Sequence, residues 1–305
     1  MSIEEIIADI GNSDKPLLNS ILTELSALSS QELELFKETW VAIEPKRRRQ
    51  IISRLVELAR DNLEYNFDGI FKNCLGDQNA NVRSEAIEGL WESEEPSLID
   101  TLIYMLEQDS SEKVQIATAI ALSKFAMLAE HGKLNSTHTT KICETLLGVI
   151  SDKSRSVEVQ RRTLEAAAPL SLPQVKEAIA EAYRSPDTRL KVSSIYSMGK
   201  SCDPFWLSIL LKELNNADAE IRYEAAGACG ELEEDEAVPQ LIELINDSDI
   251  DVQLAAIQSL GKIGGTKAKE CLKQCLDSSS VAIRQAAEQA LRELQEQEDL
   301  SSFDI

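Results

Sequence analysis

Apolar residues along most of the chain recur with the spacing of amphipathic helices, and the same pattern returns at a nearly constant interval. Each copy starts from an apolar anchor, and small or apolar residues follow four, five and eight positions later, as Ala225, Ala226 and Cys229 follow Ile221. These offsets lie on one stripe of a helix. The anchors are Val82, Val114, Val159, Leu190, Ile221, Val252 and Ile283. The last five are 31 residues apart, after intervals of 32 and 45, which predicts an internal repeat.

A second amphipathic segment precedes each anchor, so the predicted repeat unit is a pair of helices. Examples of this first helix are PQVKEAIAEAY (173–183) and AVPQLIELI (237–245). Asp, Asn or Ser shortly before each anchor suits an N-cap, and Gly199, Gly230 and Gly261, nine positions after their anchors, fit left-handed C-caps. One pair cannot bury its apolar face alone, so successive pairs are expected to stack into a solenoid.

The regions outside the repeats also have distinct patterns. The N-terminal region lacks the anchor but contains two capping-box patterns, Ser2-x-x-Glu5 and Ser29-x-x-Glu32, and Pro45 is placed to begin a helix. We expect one continuous solenoid domain, with an insertion that lies on an exposed edge. Its predicted parts are a helical cap at 1–63, seven helix pairs at 64–293 with the insertion near 127–141, and a frayed acidic tail at 294–305.

On these residues the units resemble HEAT repeats, in particular the short 31-residue kind found in phycobilin-lyase-like proteins. The best match is DAEIRYEAAGACGELEEDEAVPQLIELI (218–245), followed by DIDVQLAAIQSLGKIGG (249–265). The resemblance covers about residues 64–293. It implies an all-α fold, an α-α superhelix of the HEAT-repeat right-handed solenoid type with an N-terminal helical cap.

The resemblance also implies a ladder of polar contacts between neighbouring repeats. In that family an Asp in the turn between the two helices and a basic residue early in the second helix form the ladder. Asp218 with Arg222 and Asp187 with Lys191 fit this pattern. The residues that depart from it, and are expected to interrupt the ladder, are Gln115, Gln160 and Gln253.

The net charge narrows the set of possible partners. With 31 Lys and Arg against 53 Asp and Glu, the formal charge is −22, which disfavours binding to nucleic-acid phosphates. The N-terminus has no basic and apolar leader, and no apolar run is long enough for a membrane span. Six scattered cysteines are expected to be reduced thiols. We therefore expect a cytoplasmic protein that binds neither nucleic acid nor membranes.

No pattern of a catalytic, cofactor or metal site stands out, so we expect no enzyme activity, cofactor or bound metal. The two histidines, His131 and His138, fall in the insertion without recognised ligand spacing, and the His-Glu pairs of deoxyhypusine hydroxylases are missing. Cys271 and Cys275, four residues apart on one predicted helix, would supply two thiol ligands, but no zinc-ligand cluster accompanies them. The basic run Lys46–Arg49 at a predicted helix start is either an exposed face balanced by nearby Glu or a surface for an acidic partner.

In HEAT-type folds the second helix lines the concave face, and offsets 2, 3, 6 and 10 from the anchor point away from the core. In the middle repeats these offsets mix apolar residues with Tyr and Arg, a composition typical of protein-binding patches. The alternative is a register slip of one residue, which would make the apolar members core. The predicted partner-binding residues are Ile116, Ile120, Arg161, Arg162, Val192, Tyr196, Tyr223 and Glu224.

The leading functional prediction is a non-catalytic scaffold that binds a protein or peptide on the concave face, because a solenoid offers a long curved surface. The alternative is a chromophore-handling protein like the phycobilin lyases, which rests on likeness of fold. A third possibility is a HEAT-like DNA-binding protein, which the net charge disfavours.

Overall fold

The computed structural model describes residues 2–303, with side chains through residue 296 and at residue 299. Within 2–303 the regular structure consists of α-helices and short 3-10 turns, and no strand occurs there. The predicted all-α fold is confirmed. Backbone contacts divide the chain into two units, Met1–Ala166 and Ala167–Ile305. The single continuous domain stays a prediction.

The first unit contains an N-terminal group of four α-helices followed by three helix pairs. The four helices correspond to the predicted cap, and the pairs are α5 with α6, α7 with α8, and α9 with α10. The bounds are α1 Ile3–Gly11, α2 Asn19–Leu22, α3 Ser30–Trp40, α4 Pro45–Asp61, α5 Asp68–Cys74, α6 Ala80–Gly89, α7 Ile99–Gln108, α8 Glu112–Glu130, α9 Ser136–Ser151 and α10 Val157–Ala167.

The second unit contains four further helix pairs within the described residues. In each, a shorter first helix is followed by a longer second helix that begins at the predicted anchor region. The bounds are α11 Pro173–Tyr183, α12 Thr188–Lys200, α13 Leu207–Glu213, α14 Ala219–Leu232, α15 Val238–Leu244, α16 Ile250–Ile263, α17 Gly265–Cys275 and α18 Val281–Phe303.

The helix starts follow the capping chemistry in the sequence. Ser2 and Ser29 each accept a hydrogen bond from the backbone of the Glu three residues later, whose carboxylate accepts one back from the serine N–H. In the second unit Asp218 and Asp249 accept backbone N–H bonds at the first turns of α14 and α16. Each cap satisfies donors that have no partner inside the helix.

The anchors form the buried centre of the repeats. Val82, Val114, Val159 and Val252 are fully inaccessible to solvent, and Ile221 is nearly so. Leu190 and Ile283 are half-buried. The buried core consists mainly of Ile, Leu, Val and Ala side chains, which is consistent with the low aromatic content of the sequence.

The residue after the anchor connects the turn of its own repeat to the turn of the next. In the first unit the Nη1 of Arg83 donates to the carbonyl of Asp77, at 2.8 Å, in the turn before α6. The Nε and Nη2 of Arg83 donate to the carboxylate of Asp109, both at 2.7 Å, in the turn before α8. A bidentate Arg–carboxylate pair fixes both distance and orientation. Arg83 therefore binds two consecutive turns at once.

The second unit repeats this contact with Arg222. Its Nη1 donates to the carbonyl of Asn216 at 2.8 Å, and its Nε and Nη2 donate to the carboxylate of Asp247 at 2.7 and 2.8 Å. The hydrogen bonds from Arg222 lower the pKa of Asp247. The pair thus stabilises the fold above the carboxyl's unfolded pKa, and this contribution is lost as the pH falls through the lower folded pKa. The partner of Arg222 lies in the following turn, whereas Asp218 caps α14.

Like Arg222, Lys191 does not pair with the Asp that the sequence suggested as its partner. Its Nζ lies 3.1 Å from the carboxylate of Glu213, which is buried at the end of α13 and also accepts from the hydroxyl of Tyr183. Asp187, the partner that the sequence suggested, accepts from the backbone and side chain of Arg189.

Where glutamine follows the anchor, the side chain bonds the carbonyl of its own turn but not the carboxylate of the next turn. The Nε2 atoms of Gln115, Gln160 and Gln253 donate to carbonyls of their own turns at 2.6, 2.9 and 2.5 Å. A neutral amide has no charge with which to bridge to the next carboxylate. The ion-pair ladder is therefore interrupted at these repeats, while the bond to the turn carbonyl continues.

The three glycines predicted as C-caps lie inside helices, and that prediction is wrong. Gly199, Gly230 and Gly261 belong to α12, α14 and α16, each at least one residue before the helix end. A Cβ on Gly230 would stand 2.8 Å from the Cβ and 2.9 Å from the Cα of Ser259 on α16. These glycines are needed because consecutive second helices approach each other closely there. Because the two helices are so close, the Ser259 hydroxyl can donate a hydrogen bond to the carbonyl of Ala226, at 2.8 Å.

The insertion and the tail are more helical than expected. Most of 127–141 extends α8 and α9, which leaves only 131–135 as a connecting turn, with Gly132 in the left-handed region. Similarly, α18 continues through Phe303 into the segment 294–305, because this segment is rich in Glu, Gln and Leu and has no Gly or Pro to end a helix. Asp304 and Ile305 lie outside the described residues.

Replacing Gly230 by Ala tests the close approach of α14 and α16. We expect Gly230→Ala to lower the free energy of unfolding by about 1–3 kcal/mol, because the added methyl collides with Ser259. Gly227→Ala on the same helix is the matched control, since a Cβ there meets nothing within 4 Å. The control should be neutral or stabilising by up to about 1 kcal/mol. Urea unfolding measures both, and equal effects would contradict the packing role of Gly230.

Candidate functional site

The residues predicted to bind a partner fall into separate local environments. Ile116 and Ile120 line a groove in the first unit, and Tyr196, Tyr223 and Glu224 line a smaller cleft in the second. The predicted residues in both features lie on second helices of the repeats. Whether these residues bind a partner stays a prediction, but their surroundings differ in ways that bear on it.

Val192 is 3 % exposed and cannot form part of a binding surface, so its assignment is wrong. On α12 the neighbouring residues Ser193, Ser194 and Ile195 are buried as well, while Tyr196 emerges to solvent. The anchor Leu190 is only half-buried, so the buried stripe of α12 is shifted from the register of the other repeats. The alternative interpretation, in which the apolar members of the predicted patch are core residues, is therefore correct for Val192.

Arg161 and Arg162 form ion pairs with two glutamates on their own helix, so that their positive charges are neutralised locally. Arg161 Nη1 lies 3.0 Å from the Glu158 carboxylate. Arg162 Nε lies 3.1 Å from Glu158, and its Nη1 lies 2.9 Å from Glu165. The two cations therefore face two carboxylates at hydrogen-bond distance. The cluster presents little net charge to an anionic partner.

The basic run Lys46–Arg49 is partly internal: Lys46 and Arg49 are exposed, and Arg49 pairs with Glu85 as one interpretation expected, but Arg47 and Arg48 are not part of an exposed face. Arg47 and Arg48 are only 5 and 6 % exposed, at the start of α4. The Nε of Arg47 donates to the carbonyl of Ile10 at 2.5 Å and its Nη2 to the carbonyl of Lys15 at 3.1 Å. Arg47 thereby connects α4 to the segment around α1.

Arg48 makes the same kind of contact to the following turn as Arg83 and Arg222. Its Nη1 lies 2.9 Å from the carboxylate of Asp77, which also accepts from the indole N–H of Trp40 at 2.8 Å. The ladder therefore reaches into the predicted cap. Sequence reasoning missed this because α4 has no apolar anchor before the arginine.

The groove of the first unit is larger and more apolar than the cleft of the second unit. It has a volume of about 410 Å³ and lies between the end of α6 and one face of α8. Trp91 and Ile120 stand at its opening, 47 and 52 % exposed, above a floor that includes Leu90, Ile116 and Ala117. Large apolar side chains that remain exposed together mark binding surfaces more often than isolated ones do.

Trp91 was not predicted, although the sequence carries a signal for it. It stands nine positions after the anchor Val82, at the offset where Gly199, Gly230 and Gly261 stand in later repeats. Because α6 ends at Gly89, the indole lies just beyond the helix and contributes to the groove. Comparing repeats position by position would have singled out this residue.

Polar groups surround the apolar centre of the groove. Lys113, Lys124, Arg60 and Glu88 line it, and Arg60 lies 3.7 Å from Glu88. The Ser93 hydroxyl oxygen is inaccessible to solvent and has no hydrogen-bond partner among the residues that the structure describes. A buried hydroxyl without a partner is energetically unfavourable.

The cleft of the second unit is smaller and its charges are paired. It measures about 190 Å³, with Tyr196 and Tyr223 above a floor of small residues that includes Gly227. The Glu231 carboxylate in the cleft accepts from Lys200 at 3.1 Å and from Lys262 at 2.7 Å. The paired charges leave less electrostatic attraction for a partner than the groove does.

The residues considered for metal chemistry lie in two places: His131 and His138 between α8 and the first turn of α9, and Cys271 and Cys275, which are hydrogen-bonded to each other, on α17. In the described part of the chain no three His, Cys, Asp or Glu side chains are placed to hold a metal ion together. His131 follows α8, and His138 lies in the first turn of α9 with its ring 3.1 Å from the Asn135 amide. Burial raises the pKa of the Cys275 thiol to about 11, which keeps that thiol protonated.

No helix in residues 2–303 has both the length and the apolarity needed to cross a membrane.

Comparison with known families decides what kind of repeat this is. The model for HEAT repeats matches residues 68–135 and 207–292, just over half of the chain. The chain belongs to the HEAT-repeat family. The short phycobilin-lyase-like subtype stays a prediction, and no curated protein sequence matches the chain.

Solved structures similar to this HEAT-repeat chain have low sequence identity. YibA of E. coli is 14 % identical with a TM-score of 0.47, over 78 % of this chain and 96 % of that one. Human deoxyhypusine hydroxylase, solved with glycerol, is 17 % identical with a TM-score of 0.32, over 96 % of each chain. A chain of the Kap95p–RanGDP complex is 14 % identical with a TM-score of 0.46, over 96 % of this chain and 41 % of that one.

Removing Arg48 tests whether the basic run is structural. We expect Arg48→Ala to lower the free energy of unfolding by roughly 3–5 kcal/mol, because Asp77 would remain buried without its cation. The neighbouring Arg49→Ala is the control, since the Arg49 side chain is mainly exposed and its pair with Glu85 should contribute less than about 1 kcal/mol. Urea unfolding followed by tryptophan fluorescence measures both. Equal losses would show that burial of Arg48 does not matter.

Proposed function

We propose that this HEAT-repeat protein is a non-catalytic scaffold that binds a protein or peptide through the second helices of its repeats. The observation that supports this most is the apolar groove of the first unit, with Trp91 and Ile120 exposed at its opening. Exposing these side chains to water is unfavourable, and a partner that covers them recovers that free energy. Aromatic and branched apolar residues in a groove are typical anchors of protein interfaces.

The environment of the arginines weighs against the DNA-binding alternative. Arg161 and Arg162, the cations first considered for a binding strip, are each within hydrogen-bond distance of Glu158 or Glu165. Phosphate binding would have to replace those contacts in a chain of net charge −22. The chromophore-handling alternative stays a prediction that bilin transfer to a cysteine acceptor would test.

Charge introduced into the groove should abolish partner binding. We expect tagged wild-type protein to retain specific partners from native extract and Ile120→Glu to lose them, because a carboxylate on the groove wall opposes apolar contact. Tyr104→Glu is the matched control: Tyr104 is 66 % exposed, lies on α7 in the same unit and does not line the groove. Quantitative mass spectrometry measures retention, and circular dichroism checks that both variants fold.

Two results would contradict the proposal. Partners retained equally by wild type and Ile120→Glu would remove the groove from the interface. Retention no greater than that of the tag alone would contradict the scaffold function itself.

A further inference from the structure

We infer that the groove of the first unit binds the apolar face of an acidic amphipathic helix. This inference rests on the proposed function and adds the chemistry of the partner. It depends on two properties of the groove: its length along α8 and the charges at its two ends.

The face that α8 presents to the groove has the length of a short helical ligand. Its lining residues recur at helical spacing from Lys113 through Ile116 and Ile120 to Lys124. At a rise of 1.5 Å per residue this stripe is about 16 Å long, which corresponds to about three turns of a bound helix. Ile116 and Ile120 lie in the middle of the stripe, and Trp91 borders the same groove from the end of α6. A groove of this kind suits the apolar side chains at i, i+3, i+4 and i+7 of an amphipathic helix.

The charges at the two ends of this stripe are positive. The Nζ of Lys113 lies 3.1 Å from the Asn81 side-chain oxygen, and the Nζ of Lys124 donates to the carbonyl of Trp91. Neither lysine has a carboxylate partner within 4.0 Å among the side chains that the structure describes. The third cation, Arg60, already pairs with Glu88. The lining side chains thus have a net positive charge in a strongly acidic chain.

These unpaired lysines favour an acidic partner, although the whole protein repels one. At physiological salt the screening length is about 8 Å, so charges near the groove dominate once a partner is close. Glu or Asp near both ends of a three-turn helix would reach Lys113 and Lys124 while the middle of the helix covers Ile116 and Ile120. Electrostatic complementarity of this kind determines specificity more than affinity.

The test uses two synthetic peptides that differ only in charge. Each is a fluorescein-labelled peptide of about 14 residues with Leu at i, i+3, i+4 and i+7. One has Glu in its first and last turns, and the other has Lys at the same places. Fluorescence polarisation at physiological salt measures their affinity for the full-length protein. We expect the wild type to bind the Glu peptide at least several-fold more tightly than the Lys peptide.

Reversing the two lysines should reverse this preference. Lys113→Glu combined with Lys124→Glu is expected to weaken binding of the Glu peptide by about tenfold and to strengthen binding of the Lys peptide. The matched control combines Lys37→Glu with Lys133→Glu, two exposed lysines of the same unit that do not line the groove. It changes the net charge equally, and should leave the preference as in wild type.

Several outcomes would overturn the inference. They are equal binding of both peptides by wild type, preference for the Lys peptide, no binding of either, or the same reversal in the control. A wild-type dimer that Ile120→Glu dissociates would identify a second copy of the chain as the occupant instead. If Ile120→Glu loses cellular partners but the peptides show no charge preference, the scaffold function stands and only the acidic helix is wrong.

Discussion

In most repeats the turn between the two helices depends on a hydrogen bond from the second helix back to a carbonyl group of that turn. Backbone carbonyls at the end of a helix lack partners inside it and need donors from elsewhere. The side chain directly after the anchor is the donor in the repeats of Arg83, Gln115, Arg222 and Gln253. Because this donor follows the buried anchor, the bond holds the turn and the apolar stripe of the second helix in one register.

Where the donor is Arg83 or Arg222, the same side chain extends the constraint to the next repeat, and Arg48 makes the corresponding ion pair from α4. Arg48, Arg83 and Arg222 each bind a carboxylate in the following turn, and each of these carboxylates is nearly or fully buried. These ion pairs therefore constrain the position of one turn relative to the next. Glutamine bonds only within its own turn and adds no such constraint. In the second unit the close approach at Gly230 and the Ser259 hydrogen bond add a direct contact between second helices.

The candidate binding groove arises where the first repeats depart from this regular packing. Three later repeats have glycine nine positions after the anchor, at Gly199, Gly230 and Gly261, and each of these glycines lies against the following second helix. In the first repeat Trp91 holds that position, α6 ends earlier, and α8 is lengthened by the insertion. A side chain that cannot be covered by the next helix leaves apolar surface exposed. The feature that we propose binds a partner is thus a local exception to the packing that holds the repeats together.

The sequence by itself determined the all-helical fold, the repeat and the helix starts, because periodicity and capping act over a few neighbouring residues. Only the tertiary structure decided which similar residues are buried and which are exposed. Val192 and Tyr196 both stood at outward offsets, yet one is core and the other is surface. Arg48 and Arg49 are adjacent in a basic run, yet one is an internal ion-pair partner and the other faces solvent. These differences depend on how closely a neighbouring helix approaches, and the spacing of residues within one helix does not specify that distance.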